Sequence, residues 1–394
     1  MHTLVLRRGK SESLSRRHPW IFSGALKPLP DDLKEGEVVR VVSSDGEYLA
    51  TGHWQIGSIA VRVLSFDDEA IDYAFWHRCL SAAVGLRRTL RLFGESANTA
   101  CRLVHGEGDG LPGLVIDLYG ATAVVQAHSI GMHYARHDIA RALTEMDGLY
   151  INNVYYKSAT TLPEKATLEG EREGFLLKKA DVEDVAIENG LRFRIDYLGG
   201  QKTGFFVDQR DNRNLVEEYA RGRRVLNMFC YTGGFSVYAL RGGARHVTSV
   251  DSSEAAVALV RENVALNFPE AQNHEAVACD AFRYLADNGK DYDLIILDPP
   301  AFAKRVSALK NALKGYTRLN AAAMAQLPLG GLLFTFSCSQ AVSPHDFRLA
   351  VFTAAARTGR RVRILHQLHQ PADHPISIYH PEGEYLKGLV LEVE

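Results

Sequence analysis

The chain has 394 residues, 46% of them hydrophobic and 23% charged, with a formal net charge of −2. That is the composition of a folded globular protein too long for one ordinary core, so two or three domains are expected. The near-neutral charge excludes a globally basic nucleic-acid binder and leaves only local basic patches for such a role.

Residues 1–70 alternate short β-like runs at 38–42, 48–52 and 60–64 with turns such as Ser44-Asp45-Gly46, the pattern of a small barrel-like β domain. A basic arm, Arg7, Arg8, Lys10, Arg16 and Arg17, precedes Trp20 within it. The spacing next predicts a helix over 72–93, burying a stripe of Phe75, Cys79, Ala82, Leu86, Leu90 and Phe93. Strands are expected next at 101–104, 114–118 and 121–127. The glycine cluster Gly106-Glu-Gly-Asp-Gly110 runs into a strand, so it reads as a hairpin turn and not as a phosphate loop at a helix N-terminus. A helix over 134–146 and a strand over 149–154 complete a middle α+β domain, 71–188. Asn189-Gly190, between apolar runs at 185–188 and 191–197, is a hairpin signal that opens the last domain, 189–394. Gly199-Gly200 then begins a loop over 201–208, and a helix is expected over 209–219.

From residue 225 onward, apolar runs at 225–228, 246–250, 275–278, 294–297 and 332–337 alternate with helical stretches. That alternation implies a parallel α/β sheet, whose strand C-termini line a ligand crevice. The residues at those ends are Phe229-Cys-Tyr-Thr-Gly-Gly234, Asp251, Asp280, Asp298-Pro299-Pro300 and Cys338. Gly233 and Gly234 let backbone approach a ligand closely. Asp251 is placed for a ribose diol and Asp280 for an adenine amino group. A carboxylate-rich pocket suits a cationic sulfonium better than a pyrophosphate, and the turn lacks the Gly-x-Gly-x-x-Gly pattern. The set points to S-adenosyl-L-methionine.

The five cysteines (Cys79, Cys101, Cys230, Cys279, Cys338) form no Cys-x-x-Cys pair, which argues against zinc or a disulfide framework and fits a reducing cytoplasm. Cys79, Cys230 and Cys279 read as packing residues, and His366, His369, His374 and His380 as polar loop residues. No metal site is expected. No apolar stretch is long enough to span a membrane, so the expected location is cytoplasmic.

Several stretches carry a family resemblance: His18-Pro-Trp-Ile-Phe-Ser-Gly-Ala25, Gly204-Phe-Phe-Val-Asp-Gln-Arg-Asp-Asn-Arg213, Asn227-Met-Phe-Cys-Tyr-Thr-Gly-Gly-Phe-Ser236, Leu297-Asp-Pro-Pro-Ala-Phe302, Phe336-Ser-Cys-Ser339 and His380-Pro-Glu-Gly-Glu-Tyr-Leu-Lys-Gly388. The last domain resembles class I methyltransferases, and nearly the whole chain resembles the RlmI-type 23S rRNA cytosine-C5 methyltransferases. The resemblance implies an N-terminal PUA domain, a small middle domain and a C-terminal Rossmann-like methyltransferase. Beside Gly233, Gly234, Asp251 and Asp280, it implies donor contacts from Asp208, Gln209, Phe229, Thr232, Ser252, Asp298 and Pro299, with the 201–208 loop closing over the donor. It implies Cys338 as the nucleophile that adds to cytosine C6, and Asp298 at the N3/N4 edge of the base. Ala301 and Phe302 stand where some related enzymes carry a second cysteine, so removal of the C5 proton has no assigned group.

RNA, in particular 23S rRNA, is the implied partner. Its phosphates are expected against the arm Arg7, Arg8, Lys10, Arg16, Arg17 and against Lys304, Lys310, Lys314 and Arg318; the last three are spaced four apart, hence on one helical face. A solvated helix face is the other reading of that run. The expected function is donor-dependent formation of 5-methylcytosine in RNA. Two alternatives stay open: methylation of an exocyclic amine (adenine N6 or guanine N2), and a non-catalytic RNA-binding assembly factor. A homodimer is likewise left open.

Overall fold

Alternating Val, Ile and Thr between glycine turns make residues 1–70 a sheet, as expected. The strands are β1 (Thr3–Val5), β2 (Trp20–Phe22), β3 (Val38–Val42), β4 (Tyr48–Trp54) and β5 (Ile59–Ser65), in the order β1-β3-β4-β5-β2, with one helical turn, α1 (Glu12–Ser15). The computed structural model describes residues 1–93, 98–163, 168–182, 184–303 and 305–394. They form two compact units. The first is Met1–Ile187 with Ile195–Val207 and Ala372–Gly383, and the second Glu188–Arg194 with Asp208–Pro371 and Glu384–Glu394.

Within the first unit, α2 (Tyr73–Thr89) begins at Asp72, whose side chain accepts from the Phe75 amide. Its buried face is Phe75, Trp76, Leu80, Ala83, Val84 and Arg87. The expected stripe was rotated from this one, for Ala82 and Leu86 are exposed and Cys79 is half-buried. Arg87 explains the error. Apolar periodicity reads an arginine as surface, yet Arg87 is fully buried, with Nη1 at 2.5 Å and Nη2 at 2.8 Å from the Asp109 carboxylate and Nη2 also donating to the Asp373 carbonyl.

A second five-stranded sheet has the order β10-β9-β8-β7-β6. It comprises β6 (Ala100–His105), β7 (Leu114–Tyr119), β8 (Thr122–Ala127), β9 (Asn153–Lys157) and β10 (Glu173–Lys178). Gly106–Asp109 is a turn between antiparallel β6 and β7, as the hairpin reading requires. The helix expected over 134–146 is two helices, α3 (Ile130–Tyr134) and α4 (Arg136–Thr144), because Ser129 caps an earlier start. The strand expected over 149–154 begins later. Leu149 and Ile151 are buried in a connecting segment, and pairing to β8 starts only at Asn153 opposite Thr122. Apolar content there marks burial, not ladder.

Asn189 (φ +49°) and Gly190 (φ +78°) turn the expected hairpin between β11 (Val185–Glu188) and β12 (Leu191–Arg194). The second unit is built on a seven-stranded sheet with strands β13 (Arg224–Met228), β14 (His246–Asp251), β15 (His274–Ala278), β16 (Leu294–Leu297), β17 (Gly331–Ser337), β18 (Val362–His369) and β19 (Lys387–Val393). Their order is β15-β14-β13-β16-β17-β19-β18, parallel except for β19. Helix α5 (Arg210–Ala220) leads into β13, and α6 (Gly234–Arg241), α7 (Glu254–Asn267), α8 (Ala281–Asn288), α9 (Leu309–Gln326) and α10 (Pro344–Thr358) connect successive strands from β13 to β18. Leu226, Met228, Ile295 and Leu333 fill one apolar layer, while Val225, Val247, Ile296 and Phe334 fill the other. Burial on both faces is why these strands read as continuous apolar runs. Chain order reverses between β13 and β16, and a doubly wound sheet opens its ligand crevice at that point.

His366 and His369 lie in β18, not in a loop, and His374 and His380 are buried. Their rings pack at 4.9 Å from His105 and 4.3 Å from Trp20 respectively, which offsets burial of the imidazoles. Among the described residues, no helix is long and apolar enough to cross a membrane.

Candidate active site

The turn after β13 is the most constrained backbone in the second unit. Phe229 (φ +57°) and Tyr231 (φ +45°) adopt left-handed geometry without being glycine, and Gly233 (φ +79°) comes two residues later. Such residues cost about 1–3 kcal/mol each and persist where the surroundings hold them, typically at ligand-binding turns. Here the clamp is Asp251 at the end of β14. One carboxylate oxygen accepts the Tyr231 amide and the other the Ser253 amide, both at 3.0 Å. Asn263 donates to the buried Thr232 carbonyl at 2.8 Å from the other side. The glycines have a reason beyond the close approach expected of them. A Cβ on Gly233 would lie 2.8 Å from Val260 Cγ1, and one on Gly234 would lie 2.9 Å from Arg213 Cδ. Packing against α7 and α5 therefore demands glycine.

Arg213 needs that space to reach Glu188. The Glu188 carboxylate is fully buried and accepts from Arg213 Nε at 2.8 Å and Nη2 at 2.7 Å, and from the Tyr238 hydroxyl at 3.0 Å. This network ties α5 and α6 beneath the turn. Nothing in apolar periodicity announced it.

Asp280 comes after β15 and caps α8, its side chain accepting from the Arg283 amide at 2.9 Å. It is exposed, as is Ser252, while Asp251 and Phe229 are half-buried. Cys230 is buried, and burial, with Asp251 nearby, pushes its thiol well above the usual range, so it stays protonated. That fits its reading as a packing residue; Cys279 is half-buried.

Asp298 ends β16, and Gln209 Nε2 donates to its Oδ2 at 3.1 Å. Asn212 fixes the orientation of Gln209 by donating to Oε1 at 2.7 Å. Asp208 is buried, its Oδ2 accepting from the Tyr385 hydroxyl at 2.6 Å. Pro299 is buried and Pro300 exposed; both fix the loop that leaves the strand.

Cys338 comes directly after β17, the neighbour of β16, and is half-buried. Both flanking serines are anchored. Ser337 Oγ donates to the Tyr316 hydroxyl at 2.9 Å, and Ser339 Oγ donates to the Ala303 carbonyl, joining the thiol turn to the loop after Asp298. Tyr316, from α9, packs tilted against the Phe302 ring at 4.6 Å, and burial raises its phenol to about 12. Lys387, opposite Ser337 across β17 and β19, is buried and donates to the Ser339 carbonyl at 2.6 Å and the Val342 carbonyl at 2.7 Å. Lys387 and Tyr385 sit inside a stretch that carried the resemblance, yet neither was singled out; their spacing from the other site residues hid them.

The second unit thus brings to one sheet edge the glycine turn, Asp208, Gln209, Asp251, Ser252, Asp280, Asp298, Pro299 and Cys338. Three strand-end carboxylates beside a glycine turn fit the adenosine and sulfonium of S-adenosylmethionine by charge and by donor set.

Of the basic residues, Arg305, Lys310, Lys314 and Arg318 are exposed, the last three along one face of α9, and Arg318 also lies over the Phe282 ring at 4.5 Å. Lys304 lies outside the described residues. In the arm, Arg7, Arg8, Lys10, Arg16 and Arg17 are exposed. Arg7 donates to the Leu26 carbonyl, Arg16 pairs with Glu12, and Arg17 lies over Phe66. Trp20 is half-buried and donates to Glu107 at 2.8 Å. Among the described residues, the ligand atoms of His18, His380 and Glu382 lie within 4.8 Å of one another. His18 Nδ1 lies 3.2 Å from the Trp20 amide and 3.4 Å from the Trp20 carbonyl, and its Nε2 lies 3.5 Å from Glu382.

Comparison with known proteins agrees with this geometry. Residues 174–386 match the S-adenosylmethionine-dependent methyltransferase family, and residues 4–66 match a PUA-like domain. The chain is 42% identical to ribosomal RNA large subunit methyltransferase I of Tolumonas auensis over 99% of its own length and 98% of that protein's. It is 41% identical to the protein of that name from Aeromonas hydrophila, over 99% and 98% of the two chains. A SAM-dependent methyltransferase from Streptococcus mutans shares the fold with a TM-score of 0.84 at 23% identity, over 100% of both chains.

Proposed function

Since this chain belongs to the S-adenosylmethionine-dependent methyltransferases, in the family of ribosomal RNA large subunit methyltransferase I, we propose that it methylates C5 of a cytosine in 23S rRNA through a covalent adduct of Cys338. One observation carries the proposal. A half-buried cysteine ends β17 beside Asp298 at the end of β16, and the two turns are joined through Ser339 and Ala303. Methylation of an exocyclic amine needs no thiol at that position.

The chemistry is dictated by the base. Cytosine C5 is a weak nucleophile. Addition of the Cys338 thiolate to C6 breaks the aromatic sextet and moves electron density to C5, dividing one difficult step into easier ones. The donor supplies an electrophilic methyl group. Asp298, oriented by Gln209, holds the N3/N4 edge of the base. Loss of the C5 proton then expels Cys338 from C6 and restores the ring. Asp251, Ser252, Asp280, Phe229, Thr232, Gly233, Gly234, Asp208, Gln209 and Pro299 hold the donor.

RNA docks through residues 1–70 and the exposed α9 face, residues 71–188 form the middle domain, and 189–394 carry the chemistry. The protein acts in the cytoplasm. The test is incubation with methyl-labelled donor and ribosomal RNA lacking the modification, then nucleoside mass spectrometry. Label in 5-methylcytosine supports the proposal. Label in an N-methylated adenine or guanine assigns the chain to amine methylation, and no label under conditions of donor binding leaves a non-catalytic binder.

A further inference from the structure

A buried lysine on the strand facing the thiol turn has no part in the chemistry described so far. Lys387 leads β19, and register places it opposite Ser337, the residue before Cys338. Its side chain is only 5% exposed. The ammonium donates to the carbonyls of Ser339 and Val342 at 2.6 and 2.7 Å, and the Val342 amide also donates to that Ser339 carbonyl at 3.1 Å. One cation is thus fixed within the five-residue turn that begins at Cys338. A lysine whose only task was to close a turn would more cheaply be a neutral donor, because burying a charge is costly unless it is used or well paired. Positive charge beside a thiol, by contrast, is what makes a cysteine nucleophilic at neutral pH.

We propose that Lys387 is a positioning residue that holds the Cys338 turn in place and stabilises the Cys338 thiolate, the species that attacks cytosine C6. The inference rests on the reading of Cys338 as nucleophile. The thiol proton leaves to solvent, and Lys387 keeps its own, acting through its field and not as a base. Facing the ammonium are Cys338 and Glu384, both favouring the charged form, while burial opposes it and brings the group down to about 8. Below that pH the cation is present and the thiolate gains from it. Above it the cation, and the advantage, fade.

The experiment is alkylation of the full chain with iodoacetamide between pH 5.5 and 9.5, read by peptide mass spectrometry at Cys338 and, as an internal reference, at the equally half-buried Cys279. In the wild type, Cys338 should label with a midpoint below the ordinary thiol value of about 8.5. In Lys387→Met the Cys338 midpoint should rise by about one unit, cutting its labelling rate near pH 7 about ten-fold, with Cys279 unchanged. Lys387→Arg should restore most of the shift. An unchanged Cys338 midpoint in Lys387→Met overturns the proposal. So does a change equal at both cysteines, which marks a structural role only. Should Lys387→Met fail to bind the methyl donor and so be unfolded, the wild-type profile decides, and a Cys338 midpoint at or above about 8.5 overturns the proposal. No RNA enters this assay, so it can succeed while the methylation product contradicts the cytosine reading, and the two failures are distinguishable.

Discussion

Replacing Asp251 with alanine should cost both donor affinity and turn order, and the structure gives the size of each. The carboxylate accepts two backbone amides, from Tyr231 and Ser253, both at 3.0 Å. Hydrogen bonds to a charged acceptor contribute about 1.5–3 kcal/mol each in buried settings. Asp251 is half-buried, so solvent halves that, and the pair together stabilises by about 1.5–3 kcal/mol. Losing the clamp on Tyr231 also frees two strained residues, Phe229 and Tyr231, to relax away from the shape that receives a ligand. On the proposed ribose role of Asp251, its removal should weaken donor binding by about ten- to a hundred-fold. Melting should fall by about 3–12 °C, at 2–4 °C per kcal/mol for a unit of this size. Asp251→Asn keeps one acceptor but turns an NH2 toward a backbone N–H, so it should fall between the wild type and alanine. Isothermal titration with S-adenosylmethionine, alongside thermal melts, measures both quantities. A lower melting point with wild-type donor affinity would make Asp251 a turn clamp and nothing more, and the ribose assignment would be wrong.

Three further perturbations probe the rest of the second unit. Glu188→Gln leaves Arg213 charged in a buried site, which should cost about 3–5 kcal/mol and lower the melting temperature by about 6–20 °C; a melt within about 2 °C of the wild type refutes the importance of that network. Gly233→Ala forces a left-handed alanine with its Cβ 2.8 Å from Val260 Cγ1, adding about 1–2 kcal/mol of backbone strain and about 1–3 of overpacking. Denaturant titration should show that loss, and an unaffected midpoint would mean that α7 yields freely. Changing Lys310, Lys314 and Arg318 together to glutamine should weaken RNA binding across sequences and reduce the slope of log affinity against log salt by about 2, at roughly 0.7–0.9 per phosphate contact; an unchanged slope makes that face a solvated surface.

Four of the five strand ends, those of β13, β14, β16 and β17, could be read directly because parallel strands buried on both faces stand out as short apolar runs, and the residue after each run must lie at the crevice; β15, at the sheet edge, is mostly half-exposed and gave a weaker signal. The Asn189-Gly190 turn was equally plain, since few dipeptides tolerate two consecutive positive φ angles. Interactions that depend on pairing across distance could not be read. Arg87 and Asp109, or Glu188 with Arg213 and Tyr238, are polar in sequence and core in structure, so periodicity rotated the α2 stripe away from its true face. Lys387 meets Ser339 from 48 residues downstream. Only the antiparallel insertion of β19 beside β17 brings it there, and no local pattern encodes that insertion. Gly233 and Gly234 were marked for close approach to a ligand, and the crowding by Val260 and Arg213 could not be read, because both sit far along the chain from that turn.

The covalent role of Cys338 is the central claim, and a trapped adduct tests it most directly. Fluorine at C5 cannot leave as a proton does, so a target RNA carrying 5-fluorocytosine should stall after methyl transfer with the enzyme still attached. Digestion and peptide mass spectrometry should then place the nucleotide on the peptide containing Cys338, and Cys338→Ala should give neither adduct nor methylated product while binding donor normally. An adduct that survives in Cys338→Ala, with Cys230 as its bearer, or full turnover of ordinary RNA by that variant, would contradict the account.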